Sequence, residues 1–314
     1  MDRAGASISN VVFHEGELAL QERAGSRDRL AETAPQLIRP ALTEQHQAFF
    51  ARLPFVVLGG VDGTGQAWVT LLAGPPGFVQ APEAGRLAVR ARPPVDDPLA
   101  DYLVPGAQIG LLGIEAHSRR RNRANGRIVH ADDAGFDLAV NQSFGNCPKY
   151  IRPRRAEFLP GVTPAGPASR CAGLDEAARQ MIRQADTFFI ASAHPRASTE
   201  SGRHQGVDVS HRGGAAGFVE LADNDTLTVP DYVGNAYFNT LGNLLLNSRA
   251  GLLFVDFDAG RLLWLAAEAE IVHDGPDLAR IPAVERLLRL KVRESRYTPG
   301  PLPLRWATPP PTSP

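Results

Sequence analysis

The sequence predicts a mainly β chain with some α, built as two tandem copies of one small closed or nearly closed barrel packed as an intrachain pseudo-dimer. The first observation is an internal echo at a spacing of about 140 residues. Gly74-Pro-Pro-Gly-Phe-Val79 returns as Gly214-Ala-Ala-Gly-Phe-Val219, Leu87-Ala-Val89 as Leu227-Thr-Val229, Gly110-Leu-Leu112 as Gly251-Leu-Leu253, and Ile128-Val-His130 as Ile271-Val-His273. The offset slips by one to three residues between blocks, as loops tolerate. The second is length: 314 residues suit two domains better than one. The third is the order of elements, six short strands per copy with one helix between the fourth and fifth strands of the second. That order favours a barrel over a sandwich, although periodicity alone leaves the sandwich open. Two similar units are expected to pack about a pseudo-twofold axis.

Taken in order, residues 1–53 read as an N-terminal arm with a helix at 43–53, where Thr43 caps and Glu44 sits in the first turn. The first unit, 54–157, opens with strands at 55–60 and 67–72 around the hairpin signal Asp62-Gly63. Strands at 86–90, 108–114, 123–130 and 136–140 follow, with Asn125-Gly126 ending a hairpin. Residues 158–174 are rich in Pro, Gly and Ala and predict an exposed linker. The second unit, 175–298, starts with a helix carrying Ala178, Met181, Ile182 and Ala185 on one face. Strands at 187–193, 206–210, 218–221, 226–229, 251–257 and 262–271 repeat the first set, with a helix at 234–247. Residues 282–292 predict a last helix, and the Pro-rich tail 299–314 is expected to lose order beyond Trp306.

Composition narrows the function classes. Thirty-three basic side chains stand against 34 acidic ones, so a broad attraction to nucleic acid or anionic lipid is not indicated. Cys147 and Cys171 make neither a disulfide scaffold nor a metal set. No apolar run is long enough to span a bilayer and the N-terminus lacks a signal-peptide pattern, which together suggest a cytoplasmic protein without membrane or nucleic-acid partners. The histidines show no metal-ligand spacing. Arg119, Arg120, Arg121, Arg123 and Arg127 read as a solvated strand edge, with one or two turned toward an anion.

The residues that carry chemistry lie in the second unit. Ser210-His211-Arg212-Gly213 leaves a strand through glycines and offers a hydroxyl, an imidazole, a guanidinium and backbone N–H groups together. That set suits a planar, polar-edged ligand with an anionic tail; a solvated hairpin is the alternative. Asn235, Asn239, Thr240 and Asn243 share one face if their segment is helical, and with Arg249 they can grip hydroxyls and a phosphate. Helix capping is the competing reading. Phe238 and Trp264 read as core aromatics and Cys147 as a structural thiol.

The segments 206–219, 227–243 and 247–253 resemble the pyridoxamine 5'-phosphate oxidase-related family of FMN-binding split barrels. Phe13-His-Glu-Gly-Glu-Leu18 and Ser143-Phe-Gly-Asn-Cys-Pro-Lys-Tyr-Ile151 are similar to signatures of its long, two-barrel members, so the resemblance spans roughly 11–306. It implies a split barrel holding FMN at the interface of the two units, with Lys149 reaching across toward the phosphate. It implies flavin-mediated electron or hydride transfer to a small-molecule substrate, with His211 as proton donor or anchor. The reductant would be a separate reductase or a reduced nicotinamide, since no dinucleotide-binding fingerprint is present and the longer relatives carry a reductase after a junction like 300–306. A non-catalytic holder of flavin, deazaflavin or heme is the rival. The first copy has Leu71-Leu-Ala-Gly74 where the second has His211-Arg-Gly-Gly214, which predicts one competent site per chain, in a monomer or a homodimer.

Overall fold

A computed structural model describes residues 11–162, 167–197, 202–281, 284–298 and 300–308. Three helices lead the chain: α1 (Glu15–Arg23), α2 (Arg27–Leu37) and α3 (Glu44–Ala51). The Thr43 hydroxyl caps α3 by accepting from the His46 N–H at 3.2 Å. The first sheet comprises β1 (Phe55–Val61), β2 (Ala67–Ala73), β3 (Val79–Glu83), β4 (Arg86–Val89), β5 (Gln108–Glu115), β6 (Arg120–Asp132) and β7 (Gly135–Gly145). Two short strands, β8 (Arg155–Phe158) and β9 (Ser169–Ala172), precede α4 (Glu176–Gln184). The second sheet is β10 (Thr187–Ala193), β11 (Val207–Gly213), β12 (Glu220–Leu221), β13 (Thr226–Tyr232), then α5 (Asn239–Leu246), β14 (Arg249–Asp256), β15 (Arg261–Val272), the short α6 (Pro276–Ala279) and β16 (Val284–Tyr297). The last element, β17 (Leu304–Ala307), pairs with β8.

Strand order is β2-β1-β5-β6-β7-β4-β3 in the first sheet and β11-β10-β14-β15-β16-β13-β12 in the second, so the two units share one topology position by position. Among the described residues neither path closes through hydrogen bonds, and the units are two tandem split barrels. Each has its own apolar core: Phe50, Leu58, Leu87, Leu111 and Phe136 in the first, and Ile182, Phe188, Leu227, Leu252 and Leu290 in the second. A third cluster, with Val57, Trp68 and Leu112 from one unit and Phe189, Val209, Leu253 and Trp264 from the other, joins them.

The joint is self-complementary. Gly110 on β5 lies against β11, where an added Cβ would meet the Val207 carbonyl oxygen at 2.7 Å. Gly251 on β14, its repeat equivalent, lies against β2, where a Cβ would meet the Ala67 carbonyl oxygen at 2.3 Å. Each unit thus presses the same glycine onto the same strand of the other, the signature of an isologous contact.

Several expectations change. Residues 284–297 form β16, not a helix; 282 and 283 lie outside the described residues. The Leu287-Leu288 doublet imitates a helical stripe, yet Leu288, Leu290 and Val292 are buried at the period of two that pairing with β13 and β15 demands. Each main path has seven strands instead of six, because β3, an edge strand that tolerates Pro82, joins the first. Asn125-Gly126 is a bulge inside β6, not a turn. The helix expected at 234–247 begins only at Asn239. Ends of the expected linker and part of the tail are strands: β8 pairs β17 and β9 pairs β16. Residues 163–166 of that linker lie outside the described set, as do 309–314, on which most of the expected disorder beyond Trp306 falls.

Because both faces of the Gly251 contact are backbone, Gly251→Ala should destabilise the protein by about 1–3 kcal/mol, as overpacking does. A drop in the urea midpoint measures this. A substitution at Gly77, where an added Cβ meets nothing within 4 Å, provides the comparison for backbone strain alone.

Candidate functional site

The joint leaves a cavity of about 400 Å³ between the units, within the range of cofactor pockets. The second unit contributes Ser210 to Gly213 at the end of β11 and the segment from Pro230 to Leu241. The first contributes Arg121 and Arg123 from β6, then Asn146, Cys147, Lys149 and Tyr150; Ser26 approaches from the turn before α2 and Arg29 from the first turn of that helix. Backbone strain gathers here. Five non-glycine residues among those described have positive φ, and three of them, Tyr150, Ala236 and Phe238, line this cavity. Such conformations persist where surroundings enforce them, commonly at ligand sites. The Asn235 side chain enforces one by accepting from the Tyr237 N–H at 3.2 Å.

Five cationic side chains, Arg29, Arg121, Arg123, Lys149 and Arg212, line the walls against two carboxylates, Asp231 and Glu285. Arg212 is neutralised by Asp231. Arg121 has no carboxylate partner among the described residues: it donates to the Cys147 carbonyl at 2.8 Å and to His211 Nδ1 at 3.0 Å. Burial, reinforced by Arg123, lowers its pKa to about 10, so it stays charged at neutral pH.

Arg123 is buried and ties the units together. It donates to Asp208 at 3.1 Å, to Asn239 Oδ1 at 3.0 Å and to the Ser210 hydroxyl. Behind it Glu17 of α1 accepts from Asn239 Nδ2 at 2.5 Å and from the His14 N–H at 2.8 Å. Burial first, then the charge of Asp208, holds the Glu17 carboxyl well above its usual range. One guanidinium thus lies near two carboxyl groups, Asp208 in direct contact and Glu17 behind Asn239.

His211 sits in the wall with Phe189 edge-on at 5.8 Å. Burial, then the charges of Arg121, Arg212 and Arg154, depress its pKa well below the ordinary value. Arg121 donates to Nδ1, which fixes the neutral tautomer with hydrogen on Nε2. The imidazole can therefore donate a hydrogen bond at neutral pH but is not an acid there, which favours the anchoring role over proton donation.

Three buried nitrogens of the lining residues, Arg123 Nε, Asn146 Nδ2 and Arg212 Nε, have no partner among the described residues. All are donors. A buried donor without an acceptor costs about 1–3 kcal/mol, and an oxygen-rich anion in the cavity would relieve it.

Of the residues singled out from sequence, Ser210, His211, Arg212, Gly213, Asn235, Asn239, Thr240 and Lys149 come together around this cavity. Ser210 and Thr240 bond each other at 2.6 Å, so they and Asn239 also brace the wall. Two lie apart. Asn243 is buried behind the wall, with Nδ2 on Ser192 and Asp208. Arg249, at the start of β14, bonds the Thr64 carbonyl and borders a separate hollow with Val61 and His194. Phe238, read as core, lines the cavity beneath the Arg286 guanidinium at 4.6 Å, whereas Trp264 is core. Arg121 and Arg123 are not a solvated edge. Their equal strand parity puts both on one face, the sequence signal that identifies them; Glu17 and Asp208 had no comparable signal.

The equivalent position on the other side of the pseudo-twofold is closed. By register, Thr70, Leu71 and Leu72 correspond to Ser210, His211 and Arg212, while Leu262 and Trp264 correspond to Arg121 and Arg123. All five are buried.

Lowering the pH below about 6.5 protonates His211 in the unfolded chain but not in the folded one. Its contribution to stability is therefore lost as pH falls, by up to about 1.4 kcal/mol per unit. Between pH 7.5 and 5.5 the urea midpoint of His211→Gln should move upward relative to the wild type, and equal shifts in both would refute a neutral buried imidazole.

Residues 174–302 match the family model of pyridoxamine 5'-phosphate oxidase. No curated protein matches the chain. Solved structures similar to it include HupZ of Group A Streptococcus, at 12% identity over 41% of this chain and 97% of that one, with a TM-score of 0.31. An FMN-binding protein of Syntrophomonas wolfei aligns at 12% identity over 38% and 86%, TM-score 0.26. An FAD-binding protein of Mesorhizobium loti aligns at 11% over 42% and 98%, TM-score 0.28.

Proposed function

We propose, because residues 174–302 match the family model of pyridoxamine 5'-phosphate oxidase, that the cavity between the barrels binds FMN and that the protein is a flavin-dependent oxidoreductase. The observation that carries this reading is the surplus of cations and orphaned N–H donors around one cavity of cofactor size. The residues present fit the group. Arg121, Arg212 and Lys149 would hold the phosphate, Asn146 and the turn at Asn235 the sugar hydroxyls, and Phe238 and Tyr232 would flank the ring. FMN, when bound, supplies transfer of a hydride or of single electrons.

The rest falls to the chain's own side chains. Arg123 and Asp208 fix the wall, and Asn239 and Thr240 set the orientation of Arg123 and Ser210. His211 stays neutral and offers Nε2–H, while its Nδ1 keeps Arg121 aimed into the cavity. His211, neutral at neutral pH, is not the proton donor, so a proton required by the substrate would come from solvent. The reductant is a reduced nicotinamide or a separate reductase. One site per chain follows from the closed mate.

After mixing with FMN and desalting, the wild type should retain about one flavin per chain. Arg121→Gln combined with Lys149→Gln should weaken FMN binding by about 10- to 100-fold through loss of two charged contacts. Riboflavin, which has no phosphate, should lose little. No retained flavin in the wild type would sink the assignment. Flavin retention without turnover by reduced nicotinamide or an added reductase would instead support the non-catalytic holder.

A further inference from the structure

A second cavity of about 420 Å³ lies on the far side of His211, which forms part of both walls. It differs in character. Phe55, Ile114, Ile151 and Phe189 are buried in its base, and Trp306 closes it, edge-on to Phe55 at 6.3 Å and to Phe257 at 5.3 Å. Trp306 is placed there by the β8–β17 ribbon, and a two-stranded ribbon of this size is stable only through such packing.

The rim is cationic. Arg52, Arg152, Arg154 and Arg155 surround the opening, opposed by Glu115 and Glu157. The two acids are occupied, Glu157 by Arg305 at 2.7 Å and Glu115 by Ser118, with His117 at 3.9 Å. Arg154 is paired with Asp186 at 2.7 Å and stacks on Phe257 at 4.1 Å. Arg52, Arg152 and Arg155 have no acidic partner among the described residues. Arg152 donates only to the Gly214 carbonyl, which leaves its charge uncompensated.

We propose that this second cavity is a binding site for a small organic acid with an aromatic or branched apolar body, the body held between Phe55, Ile114 and Trp306 and the carboxylate at the arginine rim. An apolar pocket with a few convergent charges is how proteins hold such ligands. Charge complementarity selects the anion: a neutral ligand would leave three arginines as they are, and a cation would be repelled. Among the described residues His211 is the only side chain lining both cavities, so its imidazole forms the partition between this ligand and the contents of the first. The assignment does not depend on flavin.

The test uses the full chain loaded with FMN and two fluorescent probes of one shape, 8-anilinonaphthalene-1-sulfonate and its uncharged analogue N-phenyl-1-naphthylamine. The sulfonate should bind saturably, one per chain, without releasing FMN. Arg52→Glu with Arg155→Glu, both exposed positions, should weaken the sulfonate about tenfold or more and leave the neutral probe nearly unchanged. Ala156→Trp, which fills the cavity from the ribbon, should abolish both. Equal sulfonate affinity in the rim variant, or displacement of the sulfonate by FMN one for one, would overturn the proposal. A protein that retains no flavin but shows rim-dependent sulfonate binding would sink the cofactor reading and keep this one.

Discussion

The mutual approach of backbone on backbone at Gly110 and Gly251 is the constraint on which the molecule depends. No side chain can separate β5 from β11 or β14 from β2 at these points, so the two sheets meet at main-chain distance. Everything around the first cavity inherits that spacing. Arg121 and Arg123 leave β6 next to β5 and arrive within hydrogen-bond distance of β11 only because β5 and β11 are already in contact. A methyl group more at either glycine would move donors and acceptors apart by enough to weaken each bond, since hydrogen bonds decline steeply outside about 2.7–3.2 Å.

On that frame a buried polar layer is assembled that would be unfavourable in isolation. Burying a guanidinium is tolerable only with paired charge and hydrogen bonding, and Arg123 has Asp208, Asn239 and Ser210 around it, with Nε alone left without a partner among the described residues. Burial and the neighbouring charge of Asp208 push the Glu17 carboxyl up, which disfavours a second charge at the same depth. Its reach depends on α1 and α5 touching at Gly16, where a Cβ would meet the Gly242 carbonyl oxygen at 2.2 Å. The N-terminal helix is thus part of the wall behind the cavity. Breaking any member of this layer strands the others, so its effects on cavity shape will be far from additive.

Much of this was legible in the sequence, and the rest was not for definite reasons. The duplication showed through because its turn glycines and strand triplets survive. Ser210 to Gly213 and the Asn239–Thr240 pair could be placed because their chemistry is local to one strand end and one helix start. Strand β16 was misread because Leu287 and Leu288 fall on opposite faces, both covered, and the doublet mimics a helical stripe. The shared face expected of Asn235, Asn239, Thr240 and Asn243 assumed helix through 234–238, where Ala236 and Phe238 instead adopt left-handed backbone, and Asn243 turns behind the wall. Glu17 and Asp208 lie 191 positions apart, and their joint hold on Arg123 and Asn239 exists only after the units dock.

The closed counterpart of the cavity shows what fusion into one chain permits. In an assembly of identical subunits every substitution is made twice, so a leucine that strengthens one half of the contact also erases the histidine needed in the other. Covalent linkage removes that coupling. Leu71 and His211, or Trp264 and Arg123, occupy matching places with opposite character, apolar packing on one side and a polar cavity wall on the other. That division lets the cavity side remain polar and strained, because cohesion is supplied by its twin.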